Sequence, residues 1–275
     1  AVAYGNADDA AMFIAGNQSE VVLNEDGFQA FKVPLSENTL YDLASLTKLF
    51  TLVALLMLLE ARQLKMTDTI GCIDERFSLL QDTTIYDVVT YQALLKTPAR
   101  IDRQSSRREA EGQLFLTFQS KANQDRIYSD MNALVLQYVI EKVSGLSLIE
   151  FLKENVFAPL HMENTWGKVP EHALSRCSSY NIEHTIVNGR FHVNSDIMPG
   201  TPHDPKARIL MHETENICGH AGLFSTLQDM VRFAQGLLHG KLVSPQTLAL
   251  IGKNKTGHLK LDGTYRQYMG LLCFS

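Results

Sequence analysis

The stretch from Leu49 to Leu59, LFTLVALLMLL, is apolar at every position but Thr51. It is too short to cross a bilayer, and Lys48 and Glu60 bound it with charge. A helix that is apolar nearly all round has to be enclosed on every side. The rest of the chain must therefore wrap this segment. With 275 residues, 45% of them hydrophobic, there is enough material for one large core or two interleaved ones.

Other helices are marked by their ends. Residues 129–145, SDMNALVLQYVIEKVSG, offer Ser129 or Asp130 as N-cap, a stripe of apolar residues, and Gly145 after the last turn. Residues 147–157 open with a capping box of Ser147 and Glu150 and stop near Pro159. Residues 225–240 are capped by Ser225 or Thr226 and closed by Gly240. Strand patterns lie at 10–16 and 20–31, the latter with a potential turn at NEDG, and in HTIVNGRFHV. Residues 96–126 read as a polar surface excursion or lid, and 165–218 as mostly loop. No βαβ alternation appears, which argues against a doubly wound parallel sheet.

Several classes of function are disfavoured. A net charge of −5 gives no electrostatic footprint for nucleic acid. Four scattered cysteines without a C-x-x-C read as free, mostly buried thiols. Nine histidines show no H-E-x-x-H or comparable cluster, so no metal and no cofactor is expected. The first residues carry no secretory-signal pattern, and residue 1 is Ala.

Just ahead of the apolar helix stands the chain's one S-x-x-K tetrad, Ser45 to Lys48. Roughly one such tetrad is expected by chance at this length. On the first turn of a helix the two side chains share a face, near the positive end of the dipole. There a desolvated lysine accepts a serine proton. The rival reading is an N-cap serine followed by a solvated lysine. Tyr128 and Asp130, in YSD before the second helix, supply a phenolic proton carrier and a polar group from one turn, or else a loop-edge tyrosine and an N-cap.

The residues together resemble the serine β-lactamase and penicillin-binding-protein superfamily, in its class C β-lactamase-like branch of peptidases, amidases and esterases. LYDLASLTKLFT (40–51) resembles the nucleophile motif. YSDMNALVLQYVIEKVSG resembles the Tyr-x-Asn motif and its helix, with Asp130 in the Asn place. PLHMENTWG (159–167) and GHAGLFSTLQDMVRFAQGLL (219–238) resemble later segments in the family's order. The resemblance covers roughly residues 8–275.

It implies an α+β fold, an antiparallel sheet flanked by helices with an inserted all-helical region. The division expected is one domain over 1–275, with a sheet part of about 1–44 and 185–275 and a helical part of about 45–184. Strands from both ends would share one sheet. It also implies a serine hydrolase in which Ser45 attacks an amide or ester carbonyl and Lys48 and Tyr128 move protons. Asp130 would face the substrate, a small molecule or muropeptide. A D-Ala-D-Ala carboxypeptidase, amidase, esterase or β-lactamase all fit. The alternative is a non-catalytic or truncated relative that only binds. An extracytoplasmic location goes with the family.

Departures from the pattern lie at LLKTPARI (94–101), where Lys96 and Pro98 replace the family's His and Ser-Gly-Leu, and at HETEN, where a direct role for His212 is not expected. The third motif has two candidates, HAG (220–222) and KTG (255–257), or lies beyond Ser275. In the last case 265–274 is the strand before it and the chain lacks its C-terminal strands.

Overall fold

The computed structural model describes residues 1–24, 27–120, 128–178, 182–196, 198–253 and 270–273. Its strands pair in two-stranded antiparallel ladders. Strand β1 (Val2–Gly5) pairs with β2 (Ala10–Phe13), and β3 (Asn17–Asn24) with β4 (Gly27–Pro34). Asn24 pairs with Gly27, so the segment 20–31 is shared between two antiparallel strands. Strand β5 (Tyr41–Asp42) leads through a short turn to the buried helix α1 (Thr47–Glu60). Then come α2 (Ile70–Ile73), α3 (Ile85–Val89), β6 (Leu95–Lys96), α4 (Arg107–Phe115), β7 (Phe118–Gln119), α5 (Asp130–Ser144) and α6 (Leu148–Leu152). A hairpin of β8 (Ile182–Val187) and β9 (Arg190–Asp196) follows, then α7 (Pro205–Leu210), β10 (Phe224–Ser225), α8 (Leu227–Leu238) and α9 (Pro245–Leu248).

Helix α1 is enclosed as its composition requires. Phe50 stacks on Phe233 of α8 at 4.1 Å between ring centroids and meets Phe157 edge-on at 5.9 Å. Leu52, Val53, Ala54, Leu55 and Leu56 are all buried. The expected caps form: Ser129 accepts from the Met131 N–H, Gly145 closes α5 in the left-handed region at φ 73°, and Ser147 and Glu150 make a capping box. Thr226, not Ser225, caps α8. Asn188 and Gly189, both at positive φ, link β8 to β9.

Three expectations need correction. The excursion at 96–126 is not wholly irregular: it holds α4, capped by Ser106, and the short ladder of β6 with β7. The stretch 165–218 holds α7, whose start is a Pro at the first helical position after the N-cap Asp204. Cys72 is exposed, whereas Cys177 and Cys218 are buried free thiols. KTG at 255–257 and most of the strand read at 265–274 lie outside the described residues. Gly270–Cys273 forms a bend whose Leu272 N–H donates to the Val89 carbonyl at the end of α3.

Among the described residues, no helix is long and apolar enough to cross a membrane.

Candidate active site

Ser45 does not sit in the first turn of α1. It is the middle residue of a single 3₁₀ turn, Ala44–Leu46, that hands over to the helix. Ala44 has φ 43°, a left-handed conformation that costs a non-glycine residue about 1–2 kcal/mol. The turn is held from both sides. Asp42 Oδ1 accepts the Ala44 N–H at 2.8 Å, and the Leu43 N–H donates to the Leu223 carbonyl at 2.8 Å. The result projects Ser45 outward, exposed, while the helix behind it is buried.

Lys48 is the reverse case, at only 2% exposure. Burial at that level excludes the solvated lysine, and Ser45 makes no capping hydrogen bond to α1, so the rival reading of the tetrad fails. The Lys48 Nζ donates to Ser45 Oγ at 3.0 Å, to Asp130 Oδ1 at 2.8 Å and to the His220 carbonyl at 3.3 Å. The amine thus has three oxygens within hydrogen-bond reach. The Tyr128 hydroxyl donates to Ser45 Oγ at 2.9 Å. Lys48 Nζ also stands 4.8 Å from the centroid of the Tyr128 ring, which lies 5.6 Å from that of the buried Tyr91. The structure therefore brings together the four residues singled out from sequence: Ser45, Lys48, Tyr128 and Asp130.

HAG at 220–222 is buried, and its His220 carbonyl faces Lys48. Its loop is bolted to the two helices that carry the site. Thr51 of α1 donates its hydroxyl to the Gly219 carbonyl at 2.7 Å, and Gln137 of α5 accepts the Gly219 N–H at 2.9 Å. A β-carbon on residue 219 would stand 2.3 Å from the Ala133 carbonyl oxygen, so only glycine lets the loop lie against α5. His212 is exposed, with Glu213 as its ion-pair neighbour, and Lys96 is exposed on β6.

Two further residues, Lys206 and Asp204, join the site that sequence reading did not place there, and Asp204 meets His220 of the candidate HAG triplet. Asp130 Oδ2 accepts from Lys206 Nζ at 3.0 Å. Lys206 is also 3.5 Å from Asp204 Oδ2, whose other oxygen meets His220 Nε2 at 2.9 Å. The D-P pair at 204–205 was the available signal: it marks a helix start, and α7 places Lys206 one residue inside it.

Burial pushes the Asp130 carboxyl up, but His220, Lys48 and Lys206 outweigh that and hold it below its ordinary range. Burial likewise raises Asp204, yet the hydrogen bond and charge of His220, the Ala207 N–H and Lys206 hold it well below. Burial lowers Lys206, and Asp130 and Asp204 more than reverse it.

Asp130, Asp204 and His220 have donor atoms within 4.8 Å of one another, the spacing of a potential cation site. Two ammonium groups already touch Asp130 there, and they supply the positive charge that a divalent ion would bring. The donor set is thus better matched to lysine than to metal.

The chain resembles known proteins over most of its length. The family model described as Beta-lactamase matches residues 6–274. A Salmonella enteritidis PT4 protein provisionally named as a D-alanyl-D-alanine carboxypeptidase is 25% identical over 270 residues, covering 86% of this chain and 60% of that protein. The chain thus spans less than two thirds of that relative. The FmtA crystal structure from Staphylococcus aureus superposes with a TM-score of 0.63 at 18% identity, covering 82% of this chain and 62% of the other. The D-amino acid amidase from Ochrobactrum anthropi SV3, in complex with D-phenylalanine, gives 0.61 at 17% identity, covering 85% and 69%. At these identities the two structures speak for the fold alone.

Proposed function

The chain belongs to the beta-lactamase family, and on that premise we propose that it is a serine hydrolase that cleaves amide or ester bonds through an acyl-enzyme at Ser45. The observation that carries this reading is the double contact on one exposed oxygen: Ser45 Oγ has Lys48 Nζ at 3.0 Å and the Tyr128 hydroxyl at 2.9 Å. Those are the distances at which a side chain exchanges a proton with a nucleophile.

In the proposed reaction Ser45 Oγ attacks the carbonyl carbon while its proton passes to Lys48. The bond from the carbonyl carbon to the leaving amine or alcohol then breaks as Tyr128 delivers its proton to that group and takes one in turn from the protonated Lys48. Water later adds to the acyl carbon, the bond to Ser45 Oγ breaks, and a water proton returns to Oγ. The Ser45 N–H, in the middle of the 3₁₀ turn, has no backbone acceptor among the described residues, and in this reading it donates to the developing oxyanion. Asp130 holds Lys48 in place instead of reaching for substrate alone.

Peptides ending in D-alanyl-D-alanine are the first substrate class we propose, since the Salmonella relative carries that provisional name. A cell-wall substrate of this kind would place the protein outside the cytoplasm. The test is two-tiered. A fluorophosphonate probe should modify Ser45, read by peptide mass spectrometry, and D-alanine release from a D-Ala-D-Ala tripeptide should be compared with hydrolysis of nitrocefin and p-nitrophenyl acetate. A chain that never acquires the probe at Ser45 refutes the hydrolase. Labelling without D-alanine release moves the substrate to another amide or ester.

A further inference from the structure

Lys206 gives the site a feature that the Ser45–Lys48–Tyr128 group does not require. One carboxylate bridges two ammonium ions: Asp130 Oδ1 takes Lys48 at 2.8 Å and Oδ2 takes Lys206 at 3.0 Å. An aspartate paired with Lys48 alone would place its whole negative charge on that amine. The protonated form would then be favoured, and a protonated amine cannot accept the Ser45 proton. A second cation on the same carboxylate divides that charge.

The geometry is built, not incidental. Lys206 is at the start of α7, directly after Pro205, and the N-cap Asp204 accepts the N–H groups of both Lys206 and Ala207. Asp204 is fixed in turn by His220, which is only 1% exposed and whose carbonyl oxygen contacts Lys48 Nζ. The ladder Lys48, Asp130, Lys206, Asp204, His220 therefore closes back on Lys48. The other titratable groups facing it are Tyr128 before α5 and Tyr91 after α3, with Asp102, in the 3₁₀ turn at 101–103, adding negative charge near Lys206.

We propose that Lys206 is a positioning residue which, acting through Asp130, sets the pH range over which Lys48 takes the proton of Ser45. The proposal rests on the serine-hydrolase reading. In the step concerned the Ser45 O–H bond breaks, its proton joins the lone pair of a neutral Lys48 Nζ, and the freed oxygen pair forms the bond to the carbonyl carbon. Nothing is oxidised or reduced. Lys206 keeps its proton throughout and touches no reacting atom.

Lys206→Met keeps the side-chain length and removes the charge; Lys206→Arg keeps the charge. The rate at which the full chain acquires a fluorophosphonate label at Ser45 is followed by mass spectrometry from about pH 5 to 10. For Lys206→Met the acid limb of the profile moves upward by about one to three pH units, the effect of one neighbouring charge, and the rate at neutral pH falls about ten-fold or more. At high pH the two rates converge. The arginine variant keeps the wild-type limb. Coincident profiles for wild type and Lys206→Met overturn the proposal. So does equal slowing of both variants with an unmoved limb, which would mean packing only. If wild type itself is never labelled at Ser45, the hydrolase reading falls together with this one, and the two failures are thereby told apart.

Discussion

Gln137 is a buried amide at the centre of the scaffold behind the site, and its removal should be costly. Its Oε1 accepts the Gly219 N–H at 2.9 Å; its Nε2 donates to the Ile217 carbonyl at 2.9 Å and to Glu141 Oε1 at 3.0 Å. Gln137→Met preserves the volume and leaves packing nearly intact, so transfer and cavity effects are small. What it leaves behind is a backbone donor and a backbone acceptor, both buried. Each orphaned group costs about 1–3 kcal/mol, and the apolar methionine recovers about 1 kcal/mol. The net loss is about 1–5 kcal/mol, centred on about 3 kcal/mol, or a fall in melting temperature on the order of 5–15 °C around that centre for a chain of this size. The same loop presents the His220 carbonyl to Lys48, so labelling of Ser45 should slow as well. Urea unfolding followed by fluorescence measures the first effect and probe labelling the second. A melting temperature within about 2 °C of wild type would refute the argument, because it would mean that those backbone groups find water or other partners.

Other outcomes follow from the same geometry. Ser45→Ala abolishes acylation of p-nitrophenyl acetate, and Lys48→Ala and Tyr128→Phe each slow it by about 10²–10⁴-fold. Asp204 titrates below its ordinary value in the folded chain, so its contribution is complete above the unfolded value of about 4 and is lost as pH falls toward the folded one. Urea midpoints measured between about pH 2 and 6 should therefore fall on acidification, and more shallowly in Asp204→Asn. Iodoacetamide should modify exposed Cys72 first. Cys177, its thiol pushed up to about 11 by burial, and the fully enclosed Cys218 should react only when the chain unfolds, as peptide mapping would show.

Legibility followed sequence separation. Helix α1 could be read from its own letters because burial on all sides leaves a local record, and α5 and α6 because caps are chemistry within four residues. The Ser45–Lys48 pair was readable for the same reason. The contact from Lys48 to Asp130 spans 82 residues and became legible only through resemblance of motifs. Lys206 left no such trace. Its role depends on where α7 docks, and nothing in DPKAR states that docking. The position of Ser45 also escaped local reading: helix periodicity does not foresee that Ala44 would adopt φ 43° and tip the serine out of the first turn.

Asp42 has two jobs at once. Oδ1 takes the Ala44 N–H of the nucleophile's turn, and Oδ2 takes the His203 N–H, each at 2.8 Å, one residue ahead of the N-cap of α7. A single side chain thus sets the spacing between the segment that delivers Ser45 and the segment that delivers Lys206. Loop length between β9 and α7 is accordingly not a free variable. Inserting residues there would pull on a strut that ends at the nucleophile, whereas the β8–β9 turn at Asn188–Gly189 has no such tether among the described residues. Variation that diversifies substrate choice while sparing the reactive group has room at that turn and little room beside His203.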